Sequence, residues 1–431
     1  MTLYENITSF FNFENHAINV VIFGSMVIGL TSAIIGAFSF VKKKSLIGDV
    51  IAHSLLPGIC IGFLISGEKD TPTLLFFALI SGLFSVYFMD FVKSKSKLKN
   101  DTILAITLSI FFGFGLMLLS FIQNSGNSSQ TGIDHFLFGQ AAALLESDLY
   151  VYLGLSIASI ISISIFYRAF FMVSFDRNFG IVTGFKVKLY ELILTTITVA
   201  AVAIGIQTVG VVLMAAMLVS PASGANFWTK SFKNLIFLSG IFGSISGLFG
   251  AFISFIAPSM PTGPWIIVIL SSITILSILF APKRGVIAKF IKKKKWSNKL
   301  IQENILKALY HLGEKQNDFK IKYNTAQIIE KRPFELNILK RHLRKLINQK
   351  MILEINGQYM LSEVGWKRSR RIVKVHRLWE MYLTEKLNIA ADHVHEDADS
   401  IEHIITPELE TELEKMLNYP KIDPHQKEIP Y

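Results

Sequence analysis

The chain has 431 residues, of which 51% are hydrophobic and 17% charged, and its mean hydropathy is +0.45. A soluble domain carries about 25% charged residues, so this composition excludes an ordinary soluble enzyme and implies a membrane protein. The net charge of +11 marks cytoplasmic loops in such a protein and does not by itself require nucleic acid. Cys60 stands alone, which excludes an internal disulfide framework and a cysteine-rich zinc cluster. No basic segment with a small-residue cleavage site opens the chain, so no cleaved signal peptide is expected.

From residue 17 to residue 281 the sequence is a series of apolar runs, each long enough to cross a bilayer as a helix of about 20 residues. The spacing predicts spans at 17–41, 72–93, 102–123, 148–172, 187–206, 232–257 and 264–281. Weaker spans are predicted at 49–67 and 208–221, the last short enough to be broken or re-entrant. Backbone polar groups in lipid must be satisfied within the segment, so all are expected to be helices. Lys42 to Lys44, the lysines from 93 to 99, Arg168, Arg177, Lys186, Lys188, Lys230, Lys233, Lys283 and Arg284 cluster in alternate loops. With about nine passes this parity puts the N-terminus outside and the C-terminal part in the cytoplasm.

Two membrane-half stretches carry chemistry. In GDVIAHSLLPG, residues 48–58, Asp49 and His53 share one helix face. Ionisable groups in a span are costly and line a pathway or pair with each other. A carboxylate with an imidazole suits a divalent transition metal. The plainer alternative makes Asp49 a helix cap and His53 a packed core residue. In QTVGVVLMAAMLVSPASGA, residues 207–225, Gly and Pro interrupt the helix, as in the discontinuous helices of transporters or in close helix packing. Asp134, His135 and Glu146, near the outer face, have no assigned role.

These motifs, with FDRNFG at 175–180, resemble the permease subunit of the ABC transporter family that imports manganese, zinc and iron, and the resemblance covers residues 15–285. It implies a homodimeric, non-enzymatic permease working with a separate cytoplasmic ATPase and an extracytoplasmic metal-binding protein. It also implies that Asp49 and His53 line the metal path. The segment after Pro221, with Asn226, Trp228 and Lys230, resembles the short helix that docks on the ATPase. No phosphate-binding GxxxxGK[ST] loop is present in this sequence.

After Pro282 the composition turns charged. The predicted domains are 1–285, a basic linker 286–297, a winged helix 298–365 and a metal-binding, dimerising segment 366–431. Helices are predicted at 300–312, 326–331 and 334–350, with Phe334, Ile338, Leu339, Leu343, Leu346 and Ile347 inward on the last. A hairpin turning at Asn356-Gly357 and a long helix from Glu363 follow. Lys340, Arg341, Arg344 and Lys345 would meet DNA phosphates, or else form a solvated face toward protein or acidic lipid. His376 and Glu380 are i, i+4. His393, His395, Asp399, Glu402 and His403 follow within thirty residues, a clustering that suits manganese, iron or zinc.

The run HRLWEMYLTEKLNIAADHVHEDADSIEHI, with LSEVG at 361–365 and DPHQKEIP at 423–430, resembles the diphtheria-toxin-repressor family of metal-dependent regulators over residues 298–431. The resemblance implies one metal site at His376, Glu380 and His395 and a second at Asp399, Glu402 and His403. Asp399 in place of a Cys favours manganese. Asn304 falls at a first-helix ligand position, Lys307 falls where manganese sensors carry a Glu, and the family's third, SH3-like domain has no counterpart in this sequence. The expected whole is an all-α polytopic membrane permease for manganese or iron, with zinc as a third candidate. It carries a cytoplasmic, mainly α winged-helix and dimerisation domain. The competing readings are a membrane-anchored metal-dependent repressor, in which the spans only anchor, and a membrane metalloenzyme, for which no HExxH or nucleophile elbow is present.

Overall fold

The computed structural model describes residues 10, 12, 16–42, 46–68, 70–124, 139, 144–257, 260–390, 401–403 and 405–431. They divide into two compact units, Met1–Lys289 and Phe290–Tyr431.

The first unit is helical. In chain order it contains α1 (His16–Val41), α2 (Ile47–Ser66), α3 (Thr71–Lys95), α4 (Asn100–Gln123), α5 (Glu146–Phe175) and the short α6 (Arg177–Val182). Then come α7 (Val187–Val209), α8 (Val211–Asn226), α9 (Phe232–Ile256) and α10 (Thr262–Phe280). Among the described residues eight of these are long and apolar enough to span a bilayer, and α8 is a shorter apolar helix. The predicted spans agree with the helices except at 208–221. There the chain reverses at Gly210, whose φ of +89° and ψ of 158° suit glycine. The reversal folds α8 back on α7, with Gly205 against Met214.

The direction of α8 decides the parity. Gly36 of α1 lies against Leu218, and Ala37 packs with Ala222 and Ala225, so α8 runs in the same sense as α1. Gly263 lies against Val209 and Thr274 Oγ1 donates to Ser220 O at 3.2 Å, so α10 runs that way too. Leu149 near Gly24 and Phe170 against Phe38 give α5 the same sense. Although its sixteen residues span only about 24 Å, α8 thus counts as a crossing, and nine traverses among the described residues leave both α1 and α10 ending on one face. That face bears Lys42, Lys93, Lys95, Arg177, Lys186, Lys230 and Arg284, which makes it cytoplasmic.

Small residues allow the closest helix approach. A methyl on Gly29 would lie 2.3 Å from Gly243 O, and one on Gly243 would lie 2.1 Å from Gly29 O. Such crossings replace the hydrophobic drive that is missing between helices in lipid.

The second unit begins within α11 (Val286–Lys315), a single helix that takes in both the predicted basic linker and the predicted helix at 300–312. It continues through α12 (Thr325–Lys331), α13 (Leu336–Asn348), β1 (Ile352–Ile355), β2 (Gln358–Leu361), α14 (Glu363–Leu387) and α15 (Pro407–Met416). β1 and β2 pair antiparallel through a two-residue turn in which Asn356 and Gly357 both have positive φ, as a type I′ turn requires. Ser362 caps α14 by accepting from Gly365 N at 3.0 Å. Ile305, Leu309, Ile328, Leu339, Leu343, Leu346 and Val373 form the core. On α13, Leu339, Leu343 and Leu346 are buried as predicted, with Ile347 and the preceding Phe334 partly so, whereas Ile338 is exposed and His342 joins the buried face.

Candidate functional site

Within α2, His53 Nε2 lies 3.4 Å from Asp49 Oδ1, and both side chains are partly buried. The ring stacks edge-on against Phe112 at 4.4 Å. Its other nitrogen, Nδ1, is buried and has no hydrogen-bond partner among the described residues. A buried ring nitrogen without a partner loses its hydration without return. A carboxylate and an imidazole one turn apart are groups that can hold a divalent transition metal ion. Pro57 sits one turn further along the same helix.

A second polar group in the membrane half escaped the sequence reading. Asp148 on α5 is 3% exposed and accepts from Gln207 Nε2 at 3.3 Å and from Leu145 N at 3.1 Å, while Tyr152 donates to Gln207 Oε1. This places a buried carboxylate beside the break at Gly210. Gln207 opens the quoted motif, but Asp148 lies 59 residues away and nothing in its own neighbourhood marked it. Glu146 pairs with His16 at 2.9 Å; Asp134 and His135 lie outside the described residues.

At the end of α8, the residues after Pro221 do not form a separate short helix. Pro221 is buried inside α8, and residues 227–231 form a turn. The Arg284 guanidinium donates to Asn226 O at 3.0 Å and fixes that turn. Trp228 and Lys230 are exposed on the basic face, where α6 is the short helix.

In the second unit, His376 and Glu380 are one helical turn apart on α14, with His376 Nε2 3.0 Å from Glu380 Oε1. Their predicted partner His395, and Asp399 of the other set, lie outside the described residues. Glu402 and His403 lie in a turn, with Glu402 Oε1 3.4 Å from His403 Nε2. Glu402 reaches across to His376 Nδ1 at 2.6 Å, so residues from the two predicted sets meet. Burial works against a charged His376 ring, but hydrogen bonds to Glu380 and Glu402 outweigh it and raise its pKa.

Two groups complete the cluster. Glu303 on α11 holds His403 Nδ1 at 2.7 Å and also takes the Arg368 guanidinium. Burial opposes its charge, but these partners hold its carboxyl below the usual range. Lys307, one turn along, places Nζ 2.8 Å from Glu402 Oε2. A divalent ion on Glu402 Oε2 would stand within about 5 Å of that ammonium, given metal–oxygen distances near 2.1 Å. Each pair of like unit charges at about 4 Å costs about 4 kcal/mol at an effective dielectric of 20. The described residues therefore do not fit a metal ion between His376 and Glu402. Among them no group of three or more His, Cys, Asp or Glu has the arrangement of a metal site. Sequence alone did not point to Glu303, which joins His403 from 100 residues away.

On α13, Lys340, Arg341 and Arg344 are exposed and Lys345 is partly buried, so the structure brings the four onto one solvent-facing side.

Residues 14–281 match the model of the ABC 3 transport family, and residues 362–431 match the iron dependent repressor, metal binding and dimerisation domain. The chain is 35% identical to the manganese transport system membrane protein MntC of Bacillus subtilis, over 88% of each chain. It is 36% identical to the zinc transport system membrane protein TroC of Treponema pallidum, over 68% of this chain and 97% of that one. Among solved structures it resembles PsaBC from Streptococcus pneumoniae in complex with Fab, with a TM-score of 0.59 and 28% identity. That match covers 67% of this chain and 99% of that one. A multi-pass helical unit with a match over its length, and a relative aligned along 88% of the chain, lead to one conclusion: this multi-pass membrane protein with a regulator-like C-terminal domain belongs to the ABC 3 transport family.

Proposed function

We propose that the chain is the permease subunit of an ATP-driven importer of a divalent transition metal ion, manganese before zinc or iron. The observation that carries this is the Asp49–His53 pair: two ligating groups on one turn of an apolar helix, with His53 Nδ1 buried and unpartnered. The order of metals rests on the similarity to a manganese system along 88% of the chain. Two ligands are too few for such an ion, which takes four or more. A homodimer that brings the pair from each copy to a common axis would supply four.

The energy comes from a separate ATPase docked on the cytoplasmic face at Trp228 and Lys230, with Pro221 and Asn226 holding the turn from behind. An extracytoplasmic binding protein delivers the ion to the opposite face. The domain plan is a permease to residue 285, a basic connecting segment, a winged helix at 298–365 and a dimerisation segment at 366–431. The exposed Lys340, Arg341 and Arg344 favour a second reading of that half, in which it contacts DNA phosphates.

The test is uptake of radioactive manganese by cells carrying the complete transporter. Asp49→Ala and His53→Ala should each lower uptake at least about tenfold, about 1.4 kcal/mol of lost site stabilisation, with the chain still reaching the membrane. Uptake at the parental rate in both variants would remove the pair from the path.

A further inference from the structure

The cluster that joins His376 to Glu402 is built around a side chain that is not a metal ligand. Lys307 is 3% exposed. Its Nζ lies 2.8 Å from Glu402 Oε2 and 3.0 Å from His376 Nδ1, and those two atoms are 2.6 Å from each other. The ammonium thus stands at the junction of the two predicted ligand sets, in contact with one member of each. Around it the carboxylates already have cationic or imidazole partners: Glu380 on His376, and Glu303 on His403, Arg368 and Lys299. A buried carboxylate is tolerated only when paired and hydrogen-bonded, and Glu402 meets that condition from within the chain through Oε2, whereas its Oε1, 3.4 Å from His403 Nε2, has no hydrogen bond among the described residues.

We infer that Lys307 is a tethered cation that takes the place of a divalent ion between His376 and Glu402, so that this half of the chain closes around α14 without metal. A bound ion can leave, and its departure exposes carboxylates to one another; a cation held by α11 cannot. The C-terminal half is then a permanently assembled module and not a switch thrown by the transported ion. The inference is independent of the Asp49–His53 path.

The full-length chain in lipid nanodiscs tests it by protease cleavage within residues 290–431, first in EDTA and then in excess Mn²⁺ or Zn²⁺. The wild-type rate should be the same in all three. Lys307→Ala should be cleaved at least about tenfold faster in EDTA and be restored by either ion, while Lys307→Arg should behave as wild type. A site filled at a hundred times its Kd protects about a hundredfold. Protection of that size in the wild type, lost in Glu402→Gln, would overturn the inference. So would Lys307→Ala cleaved at the wild-type rate in EDTA, or cleaved faster with no restoration by either ion. If Lys307→Ala does not fold, the wild-type comparison of EDTA with metal decides alone. Uptake is not read in this experiment, so its outcome is separable from that of the transport path.

Discussion

Arg377 is the most consequential single side chain in the C-terminal half. It is 2% exposed, on α14. Its guanidinium donates to Glu314 Oε1 at 2.9 Å and Oε2 at 2.8 Å, lies 3.3 Å from Asp423 Oδ2, and donates to Glu428 O. One group therefore ties α11 and the terminal segment 420–431 to α14. Arg377→Ala leaves Asp423, whose side chain is 2% exposed, without its cationic partner, held only by the backbone N–H groups of His425 and Lys427 on Oδ1. Breaking a buried pair in this way costs about 3–5 kcal/mol. Glu314 loses its bidentate partner as well, and its partial solvation reduces that share of the loss. Against a domain stability of about 5–15 kcal/mol, the loss should bring the module to the edge of unfolding. Arg377→Lys keeps the charge but not the planar fork, so its loss should be smaller. Pulse proteolysis of the full-length chain across a urea series, scoring the C-terminal fragment, measures both. A loss below about 1 kcal/mol in Arg377→Ala, the scale of an exposed ion pair, would refute the assignment of Arg377 as the tie.

Other outcomes are open to direct measurement. Burial opposes the Glu314 charge, but His311 and Arg377 hold its pKa down at about 2, against 4.5 for an ordinary glutamate. A depressed carboxylate stabilises the fold above its unfolded pKa, and that contribution disappears as pH falls from about 4.5 toward about 2. The acid slope of C-terminal stability should therefore be shallower in Glu314→Gln than in wild type. Gly210→Ala places a side chain at φ +89° and should cost about 1–3 kcal/mol, visible as a lower thermal midpoint of the permease in detergent. Gly243→Leu should separate α1 from α9, since even a methyl there would lie 2.1 Å from Gly29 O, and both chain yield and uptake should fall sharply. In Gly113→Leu, where nothing lies within 4 Å, yield and uptake should be unchanged.

The spans, their order, the basic face, the Asn356-Gly357 hairpin and the Asp49–His53 pair were all legible in the sequence. Each depends on local physics. Twenty apolar residues suit a bilayer, lysines stay on the cytoplasmic side, two positive-φ residues close a hairpin, and a spacing of four puts side chains on one helix face. The His376–Glu380 pair was visible for the same reason. What the linear pattern did not contain is what comes together from a distance. Gly210 was readable as an interruption, but only packing of Gly36 on Leu218 and Thr274 on Ser220 makes α8 a ninth crossing. Asp148 lies 59 residues from Gln207, and Glu303 lies 100 from His403. Lys307 looked in the sequence like a departure from a ligand pattern. Its meaning depends on Glu402, 95 residues away, whose carboxylate the fold brings to its ammonium. Sequence by itself determined which segments enter the membrane and which residue types have the chemistry of metal binding. Tertiary structure decided which charges meet, because pairing in a buried site depends on distances of a few ångströms that no spacing along the chain specifies.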